Sequence, residues 1–556
     1  MRYRFFIGLV LVAAVAVYII AAPSHGGLSL SLFRHSEHSQ APQSVAPALQ
    51  KAAAPRLWVS PAAPAQLRRA AQAWGIPIEQ DRAAATVWLD MAGENEAGST
   101  WVYALVTPFP TVTDAVAFSD IRSNWGGVKA GPFAGVPLLM DESTSAAFTS
   151  LWGAPAAGSV QAVPSGQLID TAWAQRPSWA IVPFEELDPR WKVLAVGDQS
   201  PVQKDFEPHR LHLMQSSFDY PLSATFAVTC APPCPLERLP VLPATNRDPA
   251  KLTTVVTTGV TALVRATAFI MNTKGITYPG RDIHDWLANA DVAHVSNEVP
   301  FASNCPPPDP SQTKKLVFCS DPRYIDLLTS IGTDVVELTG NHYADYGPEA
   351  MLLTLKLYNQ NGMAHYGGGS DLEDARKPLL LENKGNKLAF IGCNSPDVGR
   401  MPTATETRPG AAPCDYQYMA DQIRQLKAQG YLVIATFQYY ETYDPKPFDQ
   451  QLKDFRMMAD AGAAIVQGSQ SHNPQTLEFR NGGLIHYGLG NLFFDQMGNS
   501  STPTRQEFID RHIFYDGRYI STQLLTAELE DYARPRPMTP EERAAFLTRY
   551  FALSGW

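Results

Sequence analysis

The sequence predicts an α/β protein, and three observations predict it. Between residues 252 and 497, short apolar runs of strand length alternate with stretches of helical length, the pattern of a sheet with helices on its faces. Residues 56–229 carry a shorter version of the same mixture. The chain has 556 residues, 45% of them hydrophobic, which is enough for a large core divided among two to four domains at ~150 residues each. Charged residues are only 18%, below the usual ~25%, and disorder over the whole length is thereby excluded. Net charge is −10 and no Lys/Arg block occurs, so nucleic acid is not an expected partner.

The N-terminus reads as an export signal. Met1-Arg2-Tyr3-Arg4 is followed by an uncharged apolar run from Phe5 to Ala22. About 20 apolar residues span a bilayer as a helix, and the two arginines favour a cytoplasmic N-terminus. The run is longer than the usual 7–15-residue apolar core of a signal peptide. Residues 1–22 are therefore expected to be an uncleaved signal anchor, with a cleaved signal peptide as the alternative. The expected location is the cell membrane, single-pass, with the bulk of the chain extracytoplasmic. Residues 23–55, rich in Ala, Ser, Pro, Gly and His, read as a flexible linker.

Residues 56–229 form the expected smaller α/β domain. Thr86–Leu89 and Val102–Val106 read as strands and Gln66–Trp74 as a helix. Two segments, Ala104–Pro110 and Trp179–Glu185, each read as a strand ending at Pro-Phe, as at the mouth of an open sheet. Trp125, Trp152, Trp173, Trp179 and Trp191 read as core aromatics rather than the lining of a cleft. The run Ala180–Leu194, followed by Tyr220-Pro-Leu222, weakly resembles periplasmic substrate-binding proteins of the type-2 class. That resemblance implies a two-lobed binding domain without chemistry of its own. Residues 230–251 hold Cys-Ala-Pro-Pro-Cys-Pro and further prolines, and are read as the Pro/Cys linker between domains.

From residue 252 the expected strands are Thr253–Val260, Asp291–Ser296, Asp334–Leu338, Lys387–Gly392, Leu432–Phe437, Ala464–Gln467 and Leu484–Leu489. The expected helices are Asp282–Ala288, Pro322–Ile331, Gly347–Gln360, Tyr418–Gln429 and Phe448–Ala461. Residues 498–556 read as a C-terminal extension with a closing helix, Pro540–Leu553. Six cysteines in an exported chain permit three disulfides, and neighbours in sequence give the simplest pairing: 230–234, 305–319 and 393–414. No Cys-x-x-Cys pair occurs, which argues against a zinc site.

The polar candidates fall where strands end, the place where open α/β sheets bind ligands. They lie in Ser296-Asn297-Glu298, in Gly340–Gly347 with Asn341 and His342, in Gln438–Glu441, and in Gly468–Gln475 with Gln470 and His472. Three stretches then make the sequence recognisable: Gly340-Asn-His-Tyr-Ala-Asp-Tyr-Gly347, Tyr366–Gly369 with Ala375–Pro378, and Ile485–Asp495. In this order and spacing residues 252–497 resemble the CapA family of capsule and poly-γ-glutamate biosynthesis proteins. The resemblance implies a calcineurin-like, metallophosphatase-type α/β sandwich that works on an anionic surface polymer or its precursors, beside other membrane proteins of polymer synthesis.

Departures from the family pattern are as informative. Its first-strand Gly-Asp is Gly259-Val260 here, its His-Trp-Gly-x-Glu is Phe437–Glu441 without the His, and its Gly-His-His-Pro-His keeps only His472. The resemblance implies a divalent metal, for which Glu298, Asn341 and His472 remain as ligands, with His342 and Asn341 as the catalytic pair. A dinuclear centre needs more ligands than these. Gln438, Glu441, Gln470 and Arg265 are read as binding residues, the glutamines suiting a carboxylate or a sugar hydroxyl. Glu298 could equally pair with Arg265 as an ion pair. Asp345 and Asp495 read as supporting or capping groups, His486 as core, and His294 is given no role. Two functions stay open: a metal-assisted hydrolase or transferase with an atypical site, and a non-catalytic module that binds an anionic polymer or sugar.

Overall fold

The computed structural model describes residues 54–93, 96–211, 217–232, 241–311, 316–395, 402–496 and 504–556. The apolar segment 1–22 and nearly all of the linker lie outside the described residues. No helix among the described residues is long and apolar enough to cross a membrane.

Two sheets lie face to face in the C-terminal half. The first runs, in spatial order, Ala364–Tyr366, Val335–Glu337, Val292–Asn297, Leu252–Thr257, Gln506–Tyr515, Arg518–Glu530 and Arg534–Pro537. Its first four strands are parallel, and the last three continue antiparallel. The second runs Leu379–Asn383, Asn386–Asn394, Leu432–Gln438, Ile465–Ser469, Gly483–His486 and Leu477–Arg480, with a parallel centre.

Period-two alternation splits each strand between two cores. Val255, Val292 and Val335 share the inner core with Leu388, Phe390, Ile434 and Ile465. Val256, Ala293 and Val336 face outward against the helices Arg265–Lys274, Ile325–Ser330 and Gly347–Gln360. Val433, Ala435 and Val466 likewise face the helices Tyr416–Ala428 and Asp449–Ala461. Strands covered on both faces read as continuous apolar runs, which is why they were legible. Each fully buried Leu, Ile or Phe here contributes roughly 1.5–3 kcal/mol.

Residues 504–556, within the stretch read as an extension, are part of this sandwich. Gln506–Tyr515 pairs along all of Leu252–Thr257, and the helix Pro540–Leu553 seals the inner core through Phe546, Leu547, Tyr550 and Phe551. That helix starts at a full capping box between Thr539 and Glu542. The helix Arg265–Lys274 was not expected from the sequence. It lacks a side-chain cap of its own, and its cap comes from Asp495, 229 residues away, which accepts from the Ala266 N–H at 2.9 Å.

Residues 57–230 build one further sheet, ordered Leu57–Val59, Val87–Met91, Ser223–Cys230, Ser99–Pro108, Trp179–Pro183, Leu138–Met140 and Val160–Ala162. Two short ladders stand beside it, Ala115–Val116 with Ala195–Val196 and His209–Leu211 with Ser217–Asp219. Ser99–Pro108 and Trp179–Pro183 run antiparallel, so their Pro-Phe ends point to opposite edges instead of sharing one mouth. Trp125, Trp179 and Trp191 are buried, as core aromatics should be. Cys305–Cys319 and Cys393–Cys414 are disulfides. Cys230 is also disulfide-bonded, and Cys234 lies outside the described residues.

The inner core is polar along one line. Asp510 meets His486 Nδ1 at 2.6 Å, and Gln467 donates to Thr257 at 2.8 Å and reaches His512 at 3.3 Å. His512 in turn contacts Thr522 at 2.7 Å. Burial holds the His512 imidazole down at about 4, against the pull of Asp510. Its folded value lies below the unfolded ~6.5, so its contribution to stability is present above pH ~6.5 and is lost as pH falls toward 4. Urea titrations should show His512→Gln losing less stability than wild type between pH 6.5 and 4. Equal losses would refute the assignment.

Candidate functional site

Parallel strands end together, and their carboxyl ends form one rim across both sheets. Val292–Asn297 and Val335–Glu337 come from the first sheet. Asn386–Asn394, Leu432–Gln438 and Ile465–Ser469 come from the second, where Asn394, Gln438 and Ser469 stand in register. Asn394 donates to the Thr339 carbonyl at 2.7 Å and Gln438 to Asn341 at 3.3 Å, so the two sheets are joined at this rim.

Glu298 is 2% exposed, and its Oε2 has no hydrogen-bond partner. Its Oε1 stands 4.0 Å from His342 Nε2. His342 Nδ1 meets Asp345 Oδ2 at 2.6 Å, and the same carboxylate oxygen accepts from the Phe318 N–H at 2.7 Å. Gly340 makes the approach possible: a Cβ there would lie 2.3 Å from the Glu298 carbonyl oxygen. Beside this pair lies an amide cluster. Gln438 donates to both Asn341 and Gln470 through Nε2, and its Oε1 accepts from Ser469 at 2.6 Å.

Gln470 (φ +79°) and His472 (φ +54°) hold left-handed backbone, uncommon for non-glycine residues and typical of sites whose surroundings over-determine the geometry. His472 Nδ1 is held by Asn491 at 2.9 Å, and its ring stacks on Phe494 at 5.2 Å and faces Tyr443 at 6.3 Å. Glu441 is exposed at the edge, accepting from Tyr443 at 2.7 Å. Arg265 closes the ring. Its guanidinium lies between Phe318 (5.1 Å) and Phe494 (4.9 Å), and it pairs with Asp495.

Below the rim, burial pushes the Glu337 carboxyl up, against the bond donated by Thr339 at 2.6 Å. His294, which the sequence left without a role, bonds the Tyr366 hydroxyl at 2.8 Å in the same layer. His486 is core, as expected.

The structure thus links Glu298, Asn341, His342, Gln438, Gln470, His472 and Arg265 in one chain of contacts along the rim, through Phe318 and Phe494 as well as the amides. One expectation needs correction. Arg265 pairs with Asp495 and not with Glu298, because Asp495 sits at the start of the Arg265 helix while Glu298 is turned toward His342. Of the residues expected as metal ligands, Glu298 stands 4.0 Å from His342 and His472 bonds Asn491 through Nδ1, and among the described residues no group of three or more His, Cys, Asp or Glu side chains is placed to hold an ion. The donor set is mostly neutral amides with a guanidinium close by, and Val260, where the family carries a carboxylate, is buried and paired with Ser296 and Asn491. This set does not fit a dinuclear centre.

Sequence reasoning missed the importance of Phe318, Phe494, Asn491 and Ser469. Phe494 stands inside the Ile485–Asp495 stretch, so its position was marked. Nothing in the sequence marked Phe318, which arrives on the loop closed by Cys305–Cys319.

This architecture is a two-sheet α/β sandwich, helices outside, with a buried polar cluster at the shared rim of its parallel strands. Residues 254–496 match the family model described as "Bacterial capsule synthesis protein PGA_cap", and the same domain is similar to curated CapA proteins. It is 25% identical over 303 residues to "Capsule biosynthesis protein CapA" of Bacillus anthracis, covering 54% of this chain and 72% of that protein. It is 29% identical over 207 residues to "PGA biosynthesis protein CapA" of Bacillus subtilis, covering 37% of this chain and 53% of that one. The match thus spans about half the length of the second relative. Among solved structures, a putative 5'-nucleotidase from Staphylococcus aureus in complex with alpha-ketoglutarate aligns at 10% identity, over 54% of this chain and 58% of that chain, with a TM-score of 0.32. An ABC-type phosphate transport receptor from Vibrio cholerae aligns at 12% identity, over 31% of this chain and 85% of that chain, with a TM-score of 0.24.

Proposed function

We propose that this chain is a membrane-tethered, extracytoplasmic accessory protein of capsule or poly-γ-glutamate-type polymer synthesis, and that its rim pocket binds a segment of the polymer without a metal. One observation carries the reading. The buried Glu298 carboxylate, with an unmatched oxygen, stands against the Asp345-held His342 beside the Asn341–Gln438–Gln470 amides. Amides and a carboxylate are the groups that recognise an amide backbone or sugar hydroxyls.

The charge balance refines this. Glu298, Asp345 and Asp495 outnumber the Arg265 cation, so the polymer's own carboxylates are kept outside while its neutral polar groups enter. The His342–Asp345 pair gives the pocket a group able to move a proton to or from a bound hydroxyl or amide. The apolar N-terminal run supports the membrane tether, and the CapA relatives support the polymer.

Titration calorimetry with poly-γ-glutamate and with capsular polysaccharide tests this reading. Saturable binding of one of them is expected, unchanged by EDTA. Glu298→Gln and His342→Ala should each weaken it by about tenfold or more, the scale of a lost charge-assisted hydrogen bond. Binding that vanishes with EDTA and returns with a divalent ion would restore the metal reading in its place.

A further inference from the structure

One cavity is lined by none of the rim residues. It is a cavity of about 360 Å³ between the N-terminal sheet and the Gln506–Tyr515/Arg518–Glu530 hairpin, within the size range of small-molecule sites. Its floor is apolar, with Phe109, Met538, Leu547 and Phe551. Its wall is cationic. Lys192, Arg543 and Arg511 line it together with one carboxylate, Asp114, which leaves a surplus of two positive charges.

The cations are not equivalent. Arg543 holds Asp114 through two bonds of 2.9 Å and donates to the Leu524 carbonyl at 2.8 Å. Lys192 reaches Asp114 at 2.7 Å and the carbonyls of Thr111 and Val112 at 2.6 and 3.1 Å. Burial opposes ionisation of Asp114, but hydrogen bonds from Arg543 and the charge of Lys192 hold it at about 2, so it counts as an anion. Burial pulls Lys192 down to about 8, against the opposite pull of Asp114.

Arg511 differs. It forms no ion pair among the described residues, and its contacts are long: Gln523 Oε1 at 3.4 Å, its cross-strand partner, and the Trp286 carbonyl at 3.5 Å. A guanidinium in a concave, partly buried site without a counter-ion is poorly compensated. Ser200, 3% exposed, also lines the cavity, and its hydroxyl has no partner.

We infer that this cavity is a binding site for a small aliphatic carboxylate, the anion seated on Arg511 and its methylenes on the Phe109–Leu547–Phe551 floor. The site stands independently of the rim pocket. The observations select the ligand class in two ways. An apolar floor disfavours a bare inorganic anion, and the charge surplus disfavours an amine.

The test uses glutarate, with 1,5-diaminopentane as its charge-reversed counterpart of equal length and inorganic phosphate as the bare anion. Calorimetry on the full chain should show saturable glutarate binding, none for the diamine, and phosphate at least tenfold weaker. Gln523→Glu keeps the side chain's shape and supplies Arg511 with an internal carboxylate, so it should weaken glutarate at least tenfold. Arg511→Gln should do the same, with far-UV circular dichroism confirming that both variants are folded. Absence of glutarate binding, phosphate binding as tight as glutarate, or glutarate binding unchanged in folded Gln523→Glu would overturn the inference.

Discussion

Phe508→Ala is expected to cost about 3–5 kcal/mol, a large share of the 5–15 kcal/mol that holds a typical fold. Phe508 lies on the Gln506–Tyr515 strand, fully buried, with Phe546 at 4.5 Å, Tyr550 at 5.4 Å and His486 at 4.7 Å. Truncating it opens a cavity bounded by a strand on one side and the closing helix on the other. Neither wall can collapse freely, because the strand is hydrogen-bonded to neighbours on both edges. The described residues 504–556 thus belong to the sandwich. If they were an appendage, Phe508→Ala would leave urea unfolding nearly unchanged. A loss below about 1 kcal/mol would therefore contradict the fold described above.

Asp495→Ala is expected to cost about 3 kcal/mol, for a different reason. It leaves Arg265, only 15% exposed at its side chain, without its counter-ion between two phenylalanine rings, and removes the acceptor of the Ala266 N–H. Removing one partner of a buried pair costs more than removing both. Arg265→Met combined with Asp495→Leu should therefore recover most of the loss in the same urea assay. A double variant no more stable than Asp495→Ala would show that the pair does not act as a unit. Polymer binding read in parallel separates the roles. If Arg265 serves to shape the pocket through Phe318 and Phe494, the double variant should keep part of the affinity that Glu298→Gln removes.

Much of the fold was legible because its signal is local. Gly347–Gln360 and Pro540–Leu553 match the expected helices at both ends, the first opening on Gly-Pro and the second on a capping box. The central strands are covered on both faces, so their apolar runs needed no partner to be seen. The Arg265–Lys274 helix was not legible, since its cap is Asp495. Nor was the central place of Gln506–Tyr515, because the pairing that makes it central joins residues some 250 positions apart, as Thr257 and Asp510 show.

For the site, the residue types at strand ends marked which side chains to watch, since parallel strands always deliver their ends to one edge. That determined Glu298, Asn341, His342, Gln438, Gln470 and His472 as candidates from sequence alone. Only the tertiary structure decided their partners: Glu298 with His342 instead of Arg265, Arg265 with Asp495, and His472 with Asn491. The physical reason is range. Propensity and periodicity act over a few residues, whereas hydrogen bonds and ion pairs form between whichever groups the packed sheets bring within about 4 Å.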